Sequence, residues 1–273
     1  MKKMNESPYY KIERKVLINS FEELIDLTIE QRYGNPGIPP KEKIQEINEN
    51  NLTTEITHNT SGIFRGQSQN WPLIPSSYRN KKYDLKKGVS DIMIRFYYYY
   101  DNYELNTFCN FAKQQNDNFP KSKIEQMIIA QHYGIKTPLL DWTKNIFVAI
   151  YFALDLKRKE DDNINFEPFI YHLKDEKLLN QNIEKEQNIE KIRDSAFVKA
   201  LPIDRRVERQ FSCFSFHPHP LHNPEKIPVD EYQISGELFM KLWKLMKGLG
   251  FSSSHYFPDY AGLADRIKKG FMI

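Results

Sequence analysis

Cysteine is nearly missing from this chain: two in 273 residues, Cys109 and Cys213. Two thiols build neither a disulfide framework nor a metal quartet, and they suit a thiol-reducing, cytoplasmic compartment. Long apolar runs are missing as well. The best, Ile146 to Leu154, falls far short of the ~18–20 residues that cross a bilayer. No apolar run follows Lys2 and Lys3 as a signal peptide requires, so no membrane role is expected. A surplus of one charge is also lacking: 39 Lys and Arg face 36 Asp and Glu, a net +3. Basic runs such as Lys157-Arg158-Lys159 sit beside acidic ones such as Asp161-Asp162. This balance announces no nucleic-acid binder and leaves only a local basic patch open. There is no phosphate-cradling glycine loop, no G-x-S-x-G elbow, no tandem repeat and no acidic pair at metal-site spacing. His217, His219 and His222 lie in a stretch stiffened by Pro218 and Pro220, with no Cys pair to complete a zinc site. No metal is expected.

What the chain does have is aromatic bulk. Its 18 Phe, 16 Tyr and 3 Trp make up 14% of the residues, enough for a sizeable core and against disorder. Ser20, with Glu23 three residues on, reads as the capped start of a helix reaching about Gln31; residues 1–20 read as a strand-like lead-in. A polar stretch, 41–60, suggests a short helix and a loop. Ile63 to Gly66 reads as a short strand. Apolar spacing from Ser90 to Ala112 predicts one long helix, and its run Tyr97 to Tyr100 faces all sides, which fits packing better than base stacking. Helices are also expected over Lys123 to Tyr133, with Gly134 as the stop, over Asn145 to Arg158, over Ser235 to Gly248 and from near Asp259. Thr137 to Trp142 reads as a loop, residues 174–195 as a surface insertion. Strands are expected over Glu167 to Leu173 and Val207 to Phe216. Helices interleaved with short strands define an α+β (mixed α/β) class, with helices around a small sheet.

Three clusters carry chemistry. In Phe64-Arg65-Gly66-Gln67, an Arg beside a Gly at a strand end can aim a planar guanidinium into a cleft, where it suits phosphate or carboxylate. The Gly would let a ligand approach the backbone. The alternative is a structural Arg paired with a buried carboxylate such as Asp141. The second cluster crowds Gln131, His132, Tyr133, Asp141, Trp142 and Thr143 at a helix–loop–helix junction. Thr143 could cap the next helix, whose N-terminus favours anions; the alternative is a helix-packing corner with Trp142 in the core. In the third, Arg205 to Phe211, Glu208 and Gln210 alternate with apolar residues, so one of them could face a cleft while Arg206 and its neighbours serve phosphates; an exposed edge strand is the alternative.

Jointly these clusters resemble the FRG-domain family. Phe64-Arg65-Gly66 matches its Phe/Tyr-Arg-Gly, followed by Gln67, Trp71, Leu73 with Pro75, and Arg79. Gln131-His132-Tyr133-Gly134, then Thr137 to Thr143, then Ala149 and Phe152-Ala153 match its longest motif, except that Pro138 stands where the family usually has Arg. Arg206, Gln210 and Phe214 fit a later feature with Ser212 in place of Gly, and Asp259 to Ala264 resembles the family's C-terminal end. The resemblance implies one FRG domain over residues 60–273, with an N-terminal helical extension over residues 1–59. The order of parts in turn resembles the ADP-ribosyltransferase fold. That likeness implies an NAD-using enzyme: Arg65 gripping a pyrophosphate, Gln67, Asp141 and Arg206 beside the nucleotide, Trp142 or Tyr133 stacked on the nicotinamide, His132 and Thr143 on ribose hydroxyls, and Glu208 or Gln210 orienting the attacking group. The implied setting is a bacterial toxin or phage-defence effector acting on protein or nucleic acid. The alternative is a non-catalytic module that recognises a nucleotide or nucleic acid in a defence system.

Overall fold

The computed structural model describes residues 6–33, 62–79, 81, 83, 88–154, 168–173, 183, 186, 188–198, 205–249, 251, 256 and 257. The expected helices in 41–60 and beyond Asp259, most of the 174–195 insertion, and the Asp259 to Ala264 motif lie outside the described residues. Those described form an α+β fold built on one seven-stranded sheet. The strands are β1 (Tyr10–Ile18), β2 (Ile63–Gln67), β3 (Leu139–Thr143), β4 (Phe169–Leu173), β5 (Ala196–Val198), β6 (Ser212–Phe216) and β7 (Ile227–Ile234). Their order across the sheet is β1-β7-β4-β2-β3-β6-β5. Only β1 and β7 run parallel; the other neighbours are antiparallel.

The helices are α1 (Phe21–Tyr33), α2 (Asp91–Asp101), α3 (Tyr103–Gln115), α4 (Lys123–His132), α5 (Ile146–Leu154), α6 (Arg205–Arg209) and α7 (Gly236–Gly248). Serines cap four of them. Ser20, Ser90, Ser122 and Ser235 accept from the amides of Glu23, Met93, Glu125 and Leu238. Each satisfies one of the donors that a helix start leaves open. Glu23 reaches back to the Asn19 amide at 2.8 Å, close to the expected capping box. Gly134 ends α4 with φ +83.

Alternation along the strands sends side chains to both faces, and both are covered. On one face Phe64, Ile170, Tyr232 and Ile234 pack against α1, α5 and α7. Farther along that face Leu139, Phe214 and Phe216 pack against α3 and α4. On the other face Ile63, Leu140, Trp142, Tyr171 and Cys213 meet Leu73, Ile74 and Tyr78. The first two cores leave a gap over the middle of the sheet.

Three expectations are corrected. The long helix from Ser90 breaks at Asn102, which is buried; its Oδ1 accepts from the Ser77 hydroxyl at 2.7 Å and its Nδ2 donates to the Tyr98 carbonyl. Thr137 to Trp142 is not a loop, since Leu139 to Thr143 form β3, paired residue for residue with Phe216 to Ser212. Val207 to Phe216 is not one strand. Arg205–Arg209 is a short helix, and Phe211 turns the chain with φ +47 before β6 starts. Val207 and Phe211 are four apart, a spacing that fits a helical turn as well as a strand face. Glu208 therefore sits on α6 and Gln210 at its end, not on a strand.

Candidate functional site

Strands β2 and β3 share one paired position, Phe64 with Thr143, whereas β2–β4 and β3–β6 each pair along five. Past that point the two strands part, and Arg65 stands in the opening. Its Nη1 donates to the Asp141 carbonyl at 2.7 Å, taking the place of a strand amide. Its Nε donates to Gln67 Oε1 at 3.1 Å, and Gln67 Nε2 donates to the Trp71 carbonyl at 2.9 Å. Nη2 has no partner among the described residues. The side chain is 14% exposed. Burial pulls the guanidinium pKa down, and Asp141, Tyr10 and Tyr171 oppose the shift. An Arg ionises at all ordinary pH, so this is a largely desolvated cation at the base of a cleft.

The cleft measures about 260 Å³. It occupies the gap between the two cores, above the row Phe64–Thr143–Ser212. His132 enters from the end of α4, Val148 and Phe152 from α5, Arg206 from α6, Gln210 from the turn after it, and Phe257 from the far side. Arg206 Nη1 donates to the His132 carbonyl at 2.9 Å, and its guanidinium lies 5.4 Å from the Phe257 ring centroid. Asp141 is the carboxylate among the described lining residues. Its side chain is 57% exposed; Oδ1 accepts from Gln131 Nε2 at 2.6 Å, and Oδ2 lies 4.0 Å from Arg65 Nη1. Gln131 Oε1 in turn accepts from the Thr137 hydroxyl. The Arg65–Asp141 pair is thus neither buried nor closed, because Asp141 faces solvent.

Arg65, His132, Asp141, Thr143, Arg206 and Gln210 all line this cleft. Thr143 does not cap α5; Asn145 Oδ1 does, accepting from the Phe147 amide. The Thr143 hydroxyl donates to the Gln210 carbonyl at 2.7 Å and ties β3 to the turn before β6. Gln210 Nε2 is engaged by the Tyr256 carbonyl. Gln67 supports Arg65 from below and does not line the cleft. Tyr133 is outside it and 76% exposed. Glu208 is outside it too, on the other side of α6. Trp142 borders the cleft, but its ring is buried in the opposite core and its Nε1 donates to Ser215 Oγ at 2.8 Å. It has no open ring face to offer a nicotinamide.

Gly66 has a packing reason beside the one expected. A Cβ there would fall 1.8 Å from the Ala149 carbonyl oxygen and 2.7 Å from the Ala153 amide nitrogen. The missing side chain lets the backbone of α5 close on β2, and Gly66 also lines the cleft. That approach sets Val148 and Phe152 at the cleft wall. The sequence did not single out Phe257 or the Asn145 cap. The Gln131 link to Asp141 had a signal, since Gln131 opens the Gln-His-Tyr-Gly motif.

Sheet, gap and cleft define an α+β domain whose central opening is lined by two arginines, a histidine and an aspartate. Residues 60–162 match the family model described as FRG domain. The match takes in Arg65, His132, Asp141 and Thr143, while Arg206 and Gln210 lie beyond it. No curated protein matches the chain, and neither does any solved structure. No helix among the described residues is long and apolar enough to cross a membrane.

Proposed function

We propose that the cleft binds NAD as the donor substrate of an ADP-ribosyltransferase-like reaction. The observation that carries this reading is convergence: Arg65, His132, Asp141, Arg206 and Gln210 come from four separate stretches of chain and line one cleft. Arg65 and Arg206 supply two cations for a pyrophosphate. Phe152 and Phe257 supply apolar ring surface in place of Trp142 and Tyr133. Asp141, rather than Glu208, is the carboxylate positioned to steady positive charge developing on the ribose. Gln131 orients that carboxylate, and Gln67 holds the Arg65 fork. The reaction breaks the bond from nicotinamide nitrogen to ribose C1′, the electron pair leaving with nicotinamide. The acceptor's nucleophile bonds C1′ and gives up its proton. A bacterial toxin or phage-defence effector is the setting such an activity suits.

A second reading, recognition without turnover, is favoured by Gln210 being engaged with Tyr256 and by Glu208 standing outside the cleft. One experiment separates the two. The full chain is incubated with labelled NAD, and nicotinamide release, label transfer and bound NAD are followed. Release or transfer that drops at least ~100-fold in Arg65→Lys supports the enzyme, since Lys cannot reproduce a bidentate fork. NAD bound and recovered intact supports recognition of NAD, and no NAD binding at all refutes both that and the enzyme.

A further inference from the structure

Helix α6 has two sides. Arg206 and Gln210, four apart, line the cleft. Arg205 and Arg209, also four apart, line a second and wider groove of about 690 Å³ on the far side, together with Glu208, Phe147, Phe211 and Tyr256. Buried Val207 anchors the helix between the two.

Two features of this groove lack a structural cause. Phe147 and Phe211 are 50% and 56% exposed, although they come from different segments, the first turn of α5 and the turn before β6. Phe211 also holds φ +47, a conformation that bulky residues avoid and Asn or Gly adopt with ease. Its backbone is pinned there, the amide donating to the Glu208 carbonyl and the carbonyl accepting from the Lys144 amide. Core packing does not explain the ring, because it faces water, and turn preference does not explain it either. The charges nearby are unequal. Among the described residues, Arg205, Arg209 and the exposed Lys144 outnumber Glu208.

We propose that this groove binds single-stranded nucleic acid. Bases stack on the Phe147 and Phe211 rings, and Arg205 and Arg209 hold the phosphates between them. Exposed rings and guanidinium groups in one groove match the bases and phosphates of a strand, and stacking accepts any base. An acidic peptide would use the cations and leave the two rings without a role. The groove is outside the cleft and its occupancy is read without NAD, so either proposal can fail while the other stands.

The test is fluorescence polarisation of the full chain with a labelled mixed-sequence RNA of about twelve nucleotides, within the ~4–16 nucleotides of a stacking site. The same sequence as single-stranded DNA, the same sequence as a duplex, and a poly-glutamate peptide are run beside it. The single strand is expected to bind saturably, to weaken with added salt, and to outcompete duplex and peptide. Phe211→Asn removes the ring while easing the backbone, so the fold is kept; it is expected to weaken binding roughly 5- to 150-fold. Arg205→Gln with Arg209→Gln is expected to flatten the salt dependence. No saturable binding up to about 100 μM, the weak end of non-specific association, overturns the proposal. So does equal binding by Phe211→Asn or by duplex. Peptide that competes as well as RNA overturns it too and assigns the groove to an acidic protein partner.

Discussion

Replacing Gly66 with Ala adds one methyl group, and the structure says where it lands. The new Cβ meets the Ala149 carbonyl oxygen at 1.8 Å, with two more backbone atoms at 2.7 Å. All three belong to the helix backbone, so no side chain can swing away. Strand β2 and helix α5 must separate by roughly 1.5 Å before the contact becomes an ordinary one. A radial gap of only ~0.5–1 Å already forfeits a quarter to a half of the dispersion well, and α5 is buried along nearly its whole length, from Ile146 to Leu154. Overpacking of a core typically costs about 1–3 kcal/mol; a rigid backbone clash puts Gly66→Ala at or above the top of that range. At ~2–4 °C per kcal/mol for a domain of this size, the melting temperature falls by about 6–12 °C or more. Circular dichroism melts of three variants give the comparison. Gly88 has open space around it and no positive φ, so Gly88→Ala should be neutral or slightly stabilising. Gly134→Ala, at φ +83 in open space, should cost about 1 kcal/mol. A Gly66→Ala protein melting within ~2 °C of the native chain refutes the claim that helix approach is what the glycine serves.

Two further predictions follow from buried groups. Trp142→Phe removes the indole donor to Ser215 and shrinks a buried ring; it should lower stability by about 1–3 kcal/mol in urea titrations and leave the proposed NAD binding unchanged, whereas a large affinity loss in the folded variant would restore Trp142 to the ligand's side. His217 is packed between Ser195, Ser215 and Tyr10, and burial, reinforced by Arg65, pushes its pKa from 6.5 to about 3. Between those values the unfolded chain binds a proton that the folded chain refuses, so stability is lost as pH falls from about 6.5 toward 3, at up to ~1.4 kcal/mol per unit. His217→Gln should shrink the difference between urea midpoints at pH 4.5 and pH 7, and an unchanged difference would show that His217 does not drive the acid limb.

The parts of this fold most open to sequence reading were those with local signals. Ser-capped helices, the Gly134 stop and the short Ile63–Gly66 strand each announce themselves within a few residues. Strand β7 gave no such signal because it carries Asp230 and Glu231, which are buried beside Arg14 and Lys15 of β1 at 3.4 and 3.0 Å. Residues 1–20 read as strand-like, but the partner strand, more than two hundred residues on, did not, because its polar pair is covered only once β1 lies beside it. β3 was hidden by Pro138 at its entrance and by an exposed Asp141 at its centre. The cleft members were legible as residue types crowded into motifs. Their roles were less so: Gln67 and Gln131 act on Arg65 and Asp141 through hydrogen bonds, and Glu208 differs from Arg206 only by which side of a single helical turn it occupies.

The parallel pairing of β1 with β7 also bears on how the chain is made. Tyr10 lies opposite Ile227, so the first strand waits for a partner more than two hundred residues downstream. At ~5–20 residues per second of synthesis, β1 spends roughly 10–40 s without its ladder, carrying Tyr10, which later bonds to Ser215 and His217. The centre of the sheet, with the Arg65 opening, can form from β2 and β3 well before that. Edge closure is then the late, long-range step that sets the folding rate, and β1 is the segment most exposed to chaperones until β7 emerges.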